Sequence, residues 1–259
     1  MYKKGSEHMY TVQIVSDLHI EKIDDINPDP IDFITPSANI LILAGDIGSL
    51  YKLEQLTNFL RRICYHFELV LYVPGNNEWY MIPNYFPVNW NTLEKRLKKI
   101  ENDIDNLYVL NRSSVIIGNV CIAGATLWSY PKCKIPPFIV RIKGMYTKDY
   151  KKRHIDDLNY IKSIMKYCKN NAYKLIVVTH HPPTEKVLKN TNKRKKYISL
   201  YATNLDYLLS KNKVHTWICG HIHKNFDFYT ENGCRVLGNQ KGKPKDFITD
   251  YKKDFIITI

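Results

Sequence analysis

No stretch of this 259-residue chain approaches the roughly 18 consecutive apolar residues that a membrane-spanning helix requires, which excludes that class of anchor. A secretory leader is also missing as a pattern, because Gln13, Ser16 and Asp17 interrupt the only early apolar run. The six cysteines, Cys64, Cys121, Cys133, Cys168, Cys219 and Cys234, are scattered and contain no Cys-x-x-Cys pair, so neither a disulfide framework nor a structural zinc site is indicated. These absences lead to the expectation of a soluble protein in a reducing, cytoplasmic setting. Internal repeats and low-complexity linkers are absent too, which leads us to expect one domain over residues 10–259. Residues 1–9 are set apart, because Gly5 to Met9 reads equally as a tag remnant and as native sequence.

What is abundant is positive charge: 38 Lys and Arg against 25 Asp and Glu give a net charge of +13. Such a balance favours an anionic partner, whether nucleic acid, an anionic surface or a phosphorylated substrate. A compositional reading competes with it, since the cations are mostly lysine in a chain also rich in Asn, Ile and Tyr, as an AT-biased genome encodes. The run Lys193-Arg194-Lys195-Lys196 admits the same two readings, a binding patch or a solvated loop.

Short β-branched runs alternate with amphipathic segments, the pattern of an α/β protein. Strands are expected at 10–15, 40–44, 69–73, 120–124, 175–179 and 215–219, with helices at 53–67 and 156–168, where apolar residues recur at helical spacing. Three further short runs at 226–229, 235–237 and 255–259, separated by Asn232-Gly233 and by residues 241–245, suggest antiparallel pairing and hence mixed sheets. Residues 80–91 and 184–197 read as surface loops.

Five of the expected strands run into residue types that ligate metals, and open α/β sheets bind ligands at the carboxyl ends of their strands. In order these are Asp17-Leu18-His19, Gly45-Asp46, Gly75-Asn76-Asn77-Glu78, Thr179-His180-His181 and Gly220-His221-Ile222-His223. In an extended segment residues two apart point the same way, so Asp17 and His19 are expected to face one ion together. Each block alone is a common turn or a solvated histidine. Together they offer mixed nitrogen and oxygen donors, which suit Mn, Fe or Zn better than Ca.

In this order the blocks resemble the calcineurin-like metallophosphoesterase superfamily, with its Asp-x-His, Gly-Asp, Gly-Asn-His-Asp/Glu, His and Gly-His-x-His pattern. The likeness spans Asp17 to His223 and extends to Gly124–Trp128 and to residues 217–242. It implies an α-β-β-α sandwich of two mixed sheets. It implies two divalent ions, Mn²⁺ foremost, the first held by Asp17, His19 and His223, the second by Asn76, His180 and His221, with Asp46 bridging. It also implies attack on phosphorus by a hydroxide shared between ions roughly 3.5–4 Å apart. One position departs from the pattern. Asn77 stands where the family has a histidine that orients phosphate and helps protonate the leaving group; a carboxamide can donate a hydrogen bond but not act as an acid. His181 or a metal-bound water is the expected substitute.

Substrate recognition is less legible. Trp79, Tyr80, Tyr85, Phe86 and Trp90 either wall a site for a ring or pack a loop onto the core. Lys148, Lys151, Lys152 and Arg153 either bind a second phosphate or decorate an exposed helix start. The leading expectation is hydrolysis of a phosphorylated small molecule or nucleotide, a mono- or diester. A nuclease and a non-catalytic interaction module, as the retromer subunit of this fold is thought to be, are the alternatives, and the seven competent ligand types favour an enzyme. Oligomeric state is not read from the sequence.

Overall fold

The computed structural model describes residues 9–189, 191 and 195–259, so Lys193 and Arg194 of the basic run lie outside it, as do residues 1–8. Within that range β1 (Thr11–Val15), β2 (Ile40–Leu43) and β3 (Leu69–Tyr72) pair in parallel, Val12 beside Ile40 and Ile40 beside Leu69. Strands covered on both faces read as unbroken apolar runs, as these do. β4 (Leu107–Val109) extends this sheet in parallel next to β3.

The second sheet is built on β6 (Val120–Ala125), β7 (Lys174–Thr179), β8 (Thr216–Ile218) and β10 (Arg235–Gly238), all parallel. Its edges, β5 (Ser113–Ile117) and β9 (Phe226–Tyr229), are antiparallel to their neighbours. β9 and β10 form the hairpin expected around Asn232-Gly233, where Gly233 takes a φ of +77°. The last run behaves differently. β11 (Ile256–Thr258) crosses to the first sheet and pairs antiparallel with β1. The orders are thus β11-β1-β2-β3-β4 and β5-β6-β7-β8-β10-β9.

Alternation along each strand decides the layers. Leu41 and Leu43 face α1 (Leu53–Cys64) and α2 (Trp90–Asn102) in one core, while Ile40 and Ile42 meet Ile122, Ile176 and Val178 in a second core between the sheets. On the far side Val177 and Trp217 pack against Ile161 and Cys168 of α3 (Thr147–Asn170). This is the expected α-β-β-α sandwich. α1 is short for an isolated helix, and Leu56, Phe59, Leu60 and Ile63, all fully buried, hold it at roughly 1.5–3 kcal/mol each.

Three elements were not foreseen: α2, whose inward stripe is only Leu93, Leu97 and Ile100, and the strands β4 and β5. α3 starts nine residues before the expected helix, at Thr147 rather than 156, because its charged first turns bury few side chains, chiefly Tyr150 and His154.

Candidate metal centre

β1, β2 and β3 in one sheet and β7 and β8 in the other end on the same side of the sandwich, and the residues just beyond them interlock. The Asp17 amide donates to Gly45 O (2.9 Å), the His19 amide to Asp46 O (3.0 Å) and the Gly220 amide to His180 O (2.9 Å). His180 Nδ1 donates across the sheets to Ala44 O at 2.9 Å. The backbone here is not extended. Asp17 (φ 55°), His19 (52°), Asp46 (54°), His221 (75°) and His223 (52°) are all left-handed, a region that costs a non-glycine residue about 1–3 kcal/mol. Asp17 and His19 do converge, but through left-handed turns rather than by the alternation of a strand. Two glycines permit the close approach. A Cβ on Gly45 (φ +90°) would strike the His180 ring, and one on Gly75 would strike Asp46.

Four side chains, Asp17, His19, Asp46 and His223, bring ligand atoms within 4.8 Å of one another; Asp46 does the same with His180 and His221. The ring tautomers show what this arrangement requires. His19 Nδ1 faces Glu21 Oε1 at 3.2 Å and His223 Nδ1 faces Asp246 Oδ2 at 2.6 Å. With both Nδ1–H groups directed at carboxylates, the two Nε2 lone pairs confront each other at 2.9 Å. His180 Nε2 stands 3.3 Å from Asp46 Oδ1, an ion pair when the ring carries both protons. Positive charge at the centre, from an added proton or a bound cation, relieves these contacts, and imidazole and carboxylate groups converging in this way could hold a metal ion.

The electrostatics agree. Burial works against charge on Asp46 and Asp17, yet surrounding imidazoles, His180 foremost for Asp46 and His223 for Asp17, hold both below the ordinary carboxylate range. Burial also opposes charge on His180, and Asp46 nevertheless pushes it up to about 9.

Glu78, fully buried, accepts from the amides of Gly75 (2.9 Å), Asp46 (3.1 Å) and Ile47 (2.8 Å) and from Tyr72 OH (2.7 Å), pinning two ligand loops to one carboxylate. Burial and then the Asp46 charge push it up to about 8. The Asn77 amide donates to Asp46 Oδ1 at 2.8 Å, and its side chain contacts Oδ2.

The calcineurin-like phosphoesterase family profile matches residues 10–225. The chain belongs to that family. Family membership makes it a metal-dependent phosphoesterase. An uncharacterized protein of Acanthamoeba polyphaga mimivirus is 27% identical over 265 residues, covering 90% of this chain and 91% of its own. The fold is shared with a phosphopantetheinyl hydrolase of Mycobacterium tuberculosis (TM-score 0.76, 13% identity, 96% and 95% coverage). It is shared less closely with a dimetal phosphatase of Danio rerio (TM-score 0.54, 12% identity, 88% and 86% coverage).

In this phosphoesterase the candidate ligands open onto a cleft of about 310 Å³ whose wall includes Asp46, Asn76, Asn77, His221 and His223. Asp17, His19 and His180 lie buried beneath. His181 is buried as well, at 1% exposure, its ring 4.0 Å from that of His221 and its Nδ1 without a partner. Burial and then the neighbouring His180 push it down to about 3, so it is neutral. Between His181 and the cleft stands Tyr150 of α3, its hydroxyl 3.4 Å from both His181 Nε2 and Ser129 Oγ.

The other expected groups divide. Trp79 and Trp90 stack at 3.9 Å and pack inward, Tyr80 reaches the cleft, and Tyr85 and Phe86 are exposed away from it. Of the cations near the start of α3, Arg153 lies over Trp90, Lys151 over Tyr130, and Lys152 pairs with Asp156. Lys148 is exposed, and none of the four lines the cleft. His154 is a core histidine, directed at Trp128 O. Sequence reasoning missed Glu21, Glu78, Tyr150 and Asp246. Glu78 lay inside a motif already singled out and Glu21 two residues past His19, whereas nothing local marks Tyr150 or Asp246.

Proposed function

We propose that the chain hydrolyses phosphomonoesters or phosphodiesters of small molecules or nucleotides at a dinuclear centre. Asp17, His19 and His223 hold one divalent ion, Asn76, His180 and His221 the other, and Asp46 both. The sharing of Asp46 by two converging ligand sets carries this reading. Mn²⁺ suits the mixed nitrogen and oxygen donors, which Fe and Zn also accept. Ions bound there supply a lowered pKa for coordinated water and neutralise charge on the phosphoryl oxygens.

The chain's own residues do the rest. Glu21 and Asp246 fix the tautomers of His19 and His223, so that Nε2 is the ligating atom on each ring. Glu78 holds the Asp46 and Asn76 loops at a set separation. Asn77, on the cleft wall, orients Asp46 through its backbone amide and offers its side-chain carboxamide to a phosphoryl oxygen. For the leaving-group proton the role falls to Tyr150 rather than His181, since Tyr150 lines the cleft with its hydroxyl against neutral His181.

We also assign residues 10–259 to one domain, since β11 completes the first sheet and Asp246 reaches a ligand. The six free thiols suit a reducing, cytoplasmic location.

The test is a Mn²⁺ titration of metal-stripped protein with p-nitrophenyl phosphate and bis-p-nitrophenyl phosphate. Turnover should follow metal loading, and Asp46→Ala should lower it by more than about 10³-fold, at least the loss seen when one charge-stabilising donor is removed. Turnover without metal, or unchanged in Asp46→Ala, would overturn the proposal.

A further inference from the structure

The rim of the cleft carries cations for which the metal centre has no use. Arg141 comes from the segment between β6 and α3, and Lys243 and Lys245 from the far C-terminal side of the chain; all three line the cleft. Lys22, three residues beyond the ligand His19, joins them. It is held below the ordinary lysine range by partial burial and, against the pull of Glu21, by the positive charges of Arg141, Lys243 and Lys245.

Three distant segments thus bring four like charges within electrostatic reach of one another, which costs folding energy unless an anion is shared among them. The nearby carboxylates offset them only in part, Glu21 pulling on Lys22 and Asp246 accepting from the Lys243 amide at 2.8 Å. Glu21 is turned to His19 and Asp246 to His223, and none of the four cations forms an ion pair with a carboxylate among the described residues. Arg141 instead lies 5.6 Å over the Tyr80 ring, held at the wall with its guanidinium free of acid. The same cleft is also lined by apolar and aromatic side chains, Phe138, Ile139, Leu200 and Tyr201.

We propose that this cluster receives a second phosphoryl group of a small-molecule substrate, distinct from the one hydrolysed at the metal centre, while the body of the substrate lies against the apolar wall. A cleft of about 310 Å³ is of small-ligand size. The cluster takes the place of Lys148, Lys151, Lys152 and Arg153, none of which lines the cleft, as the site for a second phosphate. The inference rests on the phosphoesterase reading above for its first phosphate and on the rim alone for its second.

Adenosine 3′,5′-bisphosphate and the two adenosine monophosphates, 3′ and 5′, test it on the Mn²⁺-loaded protein, by turnover and by calorimetric binding. Binding is read whether or not any ester turns over, so loss of the hydrolytic reading and loss of this one are told apart. The bisphosphate should be preferred over either monophosphate by about 10- to 100-fold, the scale of one or two charge-assisted contacts. Lys243→Ala/Lys245→Ala, and separately Arg141→Gln, should collapse that ratio by about tenfold, and added salt should lower it further. Equal affinity for the mono- and bisphosphates would overturn the proposal, as would a proportional loss for both in the variants. Preference for a single-stranded oligonucleotide over the bisphosphate would overturn it in favour of a nucleic-acid substrate.

Discussion

On the floor of the cleft, Asp17, His19, Asp46, His221 and His223 stand on left-handed backbone two to five residues past buried strands, each tied by amide contacts to the neighbouring loop. On the rim, Phe138, Arg141, Lys243 and Lys245 stand on loops, partly or largely exposed, with few contacts among themselves. The floor therefore spends strain and burial to hold ligand atoms within a few ångströms, while the rim spends unpaired charge to define what can approach. Strain of this kind persists only where the surroundings over-determine it, and the pairing of parallel strands with interlocked loops provides that. The division suggests that chemistry is set by the floor and selectivity by the rim, and three experiments probe the boundary between them.

Tyr150 lies on that boundary, and the largest effect is expected there. If its hydroxyl protonates the leaving oxygen, Tyr150→Phe should lower kcat for an alkyl phosphate by about 10²-fold or more, in the range of general-acid assistance, and that for p-nitrophenyl phosphate far less. The slope of log kcat against leaving-group pKa should steepen accordingly. Equal losses on both esters would make Tyr150 a packing residue. A loss confined to alkyl phosphates in His181→Ala, with Tyr150→Phe neutral, would return the role to His181.

Next in size is the support that the rim lends to the floor. Asp246 sits beside the rim lysines, yet its carboxylate is 2.6 Å from His223 Nδ1. Asp246→Asn should weaken Mn²⁺ binding by about 10- to 100-fold, and Glu21→Gln, through His19, should do likewise. Metal titration followed by elemental analysis of the desalted protein measures both. Unchanged affinity in Asp246→Asn would show that the floor stands without the rim.

The same division governs what the sequence discloses. The convergence of the floor was legible because each candidate ligand follows an apolar run within a few residues, so one-dimensional spacing already approximates its location. Its backbone conformation was not, since two-residue alternation in Asp17-Leu18-His19 suggests a strand where the chain in fact turns left-handed twice. The rim was illegible because Arg141, Lys243 and Lys245 meet only through topology: the return of the C-terminal segment past Gln240, bridged to Ser16, carries it over the cleft. Charge counting pointed instead to a local cluster of cations at the start of α3, where Arg153 and Lys152 have partners of their own. α2 escaped notice for a related reason: three buried side chains in thirteen residues leave a faint periodic signal.

The smallest expected effect concerns how the rim is anchored to the body. Asp157 of α3, 1% exposed, accepts from Arg112 Nη1 at 2.8 Å and from the amide of Leu127 at 2.9 Å. Leu127 has a φ of 51° and opens the segment that carries Phe138 and Arg141. Burial outweighs the Arg112 contact and pushes Asp157 up to about 6 from the ordinary 3.8. A carboxyl raised on folding binds its proton more readily in the folded state, so its contribution to stability is fully present below about pH 3.8 and is lost as pH rises through about 6. The shift of roughly two pKa units corresponds to at most about 3 kcal/mol. Asparagine at 157 does not titrate. Wild type relative to Asp157→Asn should therefore be more stable at pH 4 than at pH 7.5, with the difference in Tm changing by a few degrees between the two for a chain of this size. Mn²⁺ affinity should stay the same, since no metal ligand contacts Asp157. A Tm difference that does not move with pH would show that the carboxyl remains ionised throughout. The Arg112 contact, rather than burial, would then dominate at the base of the rim.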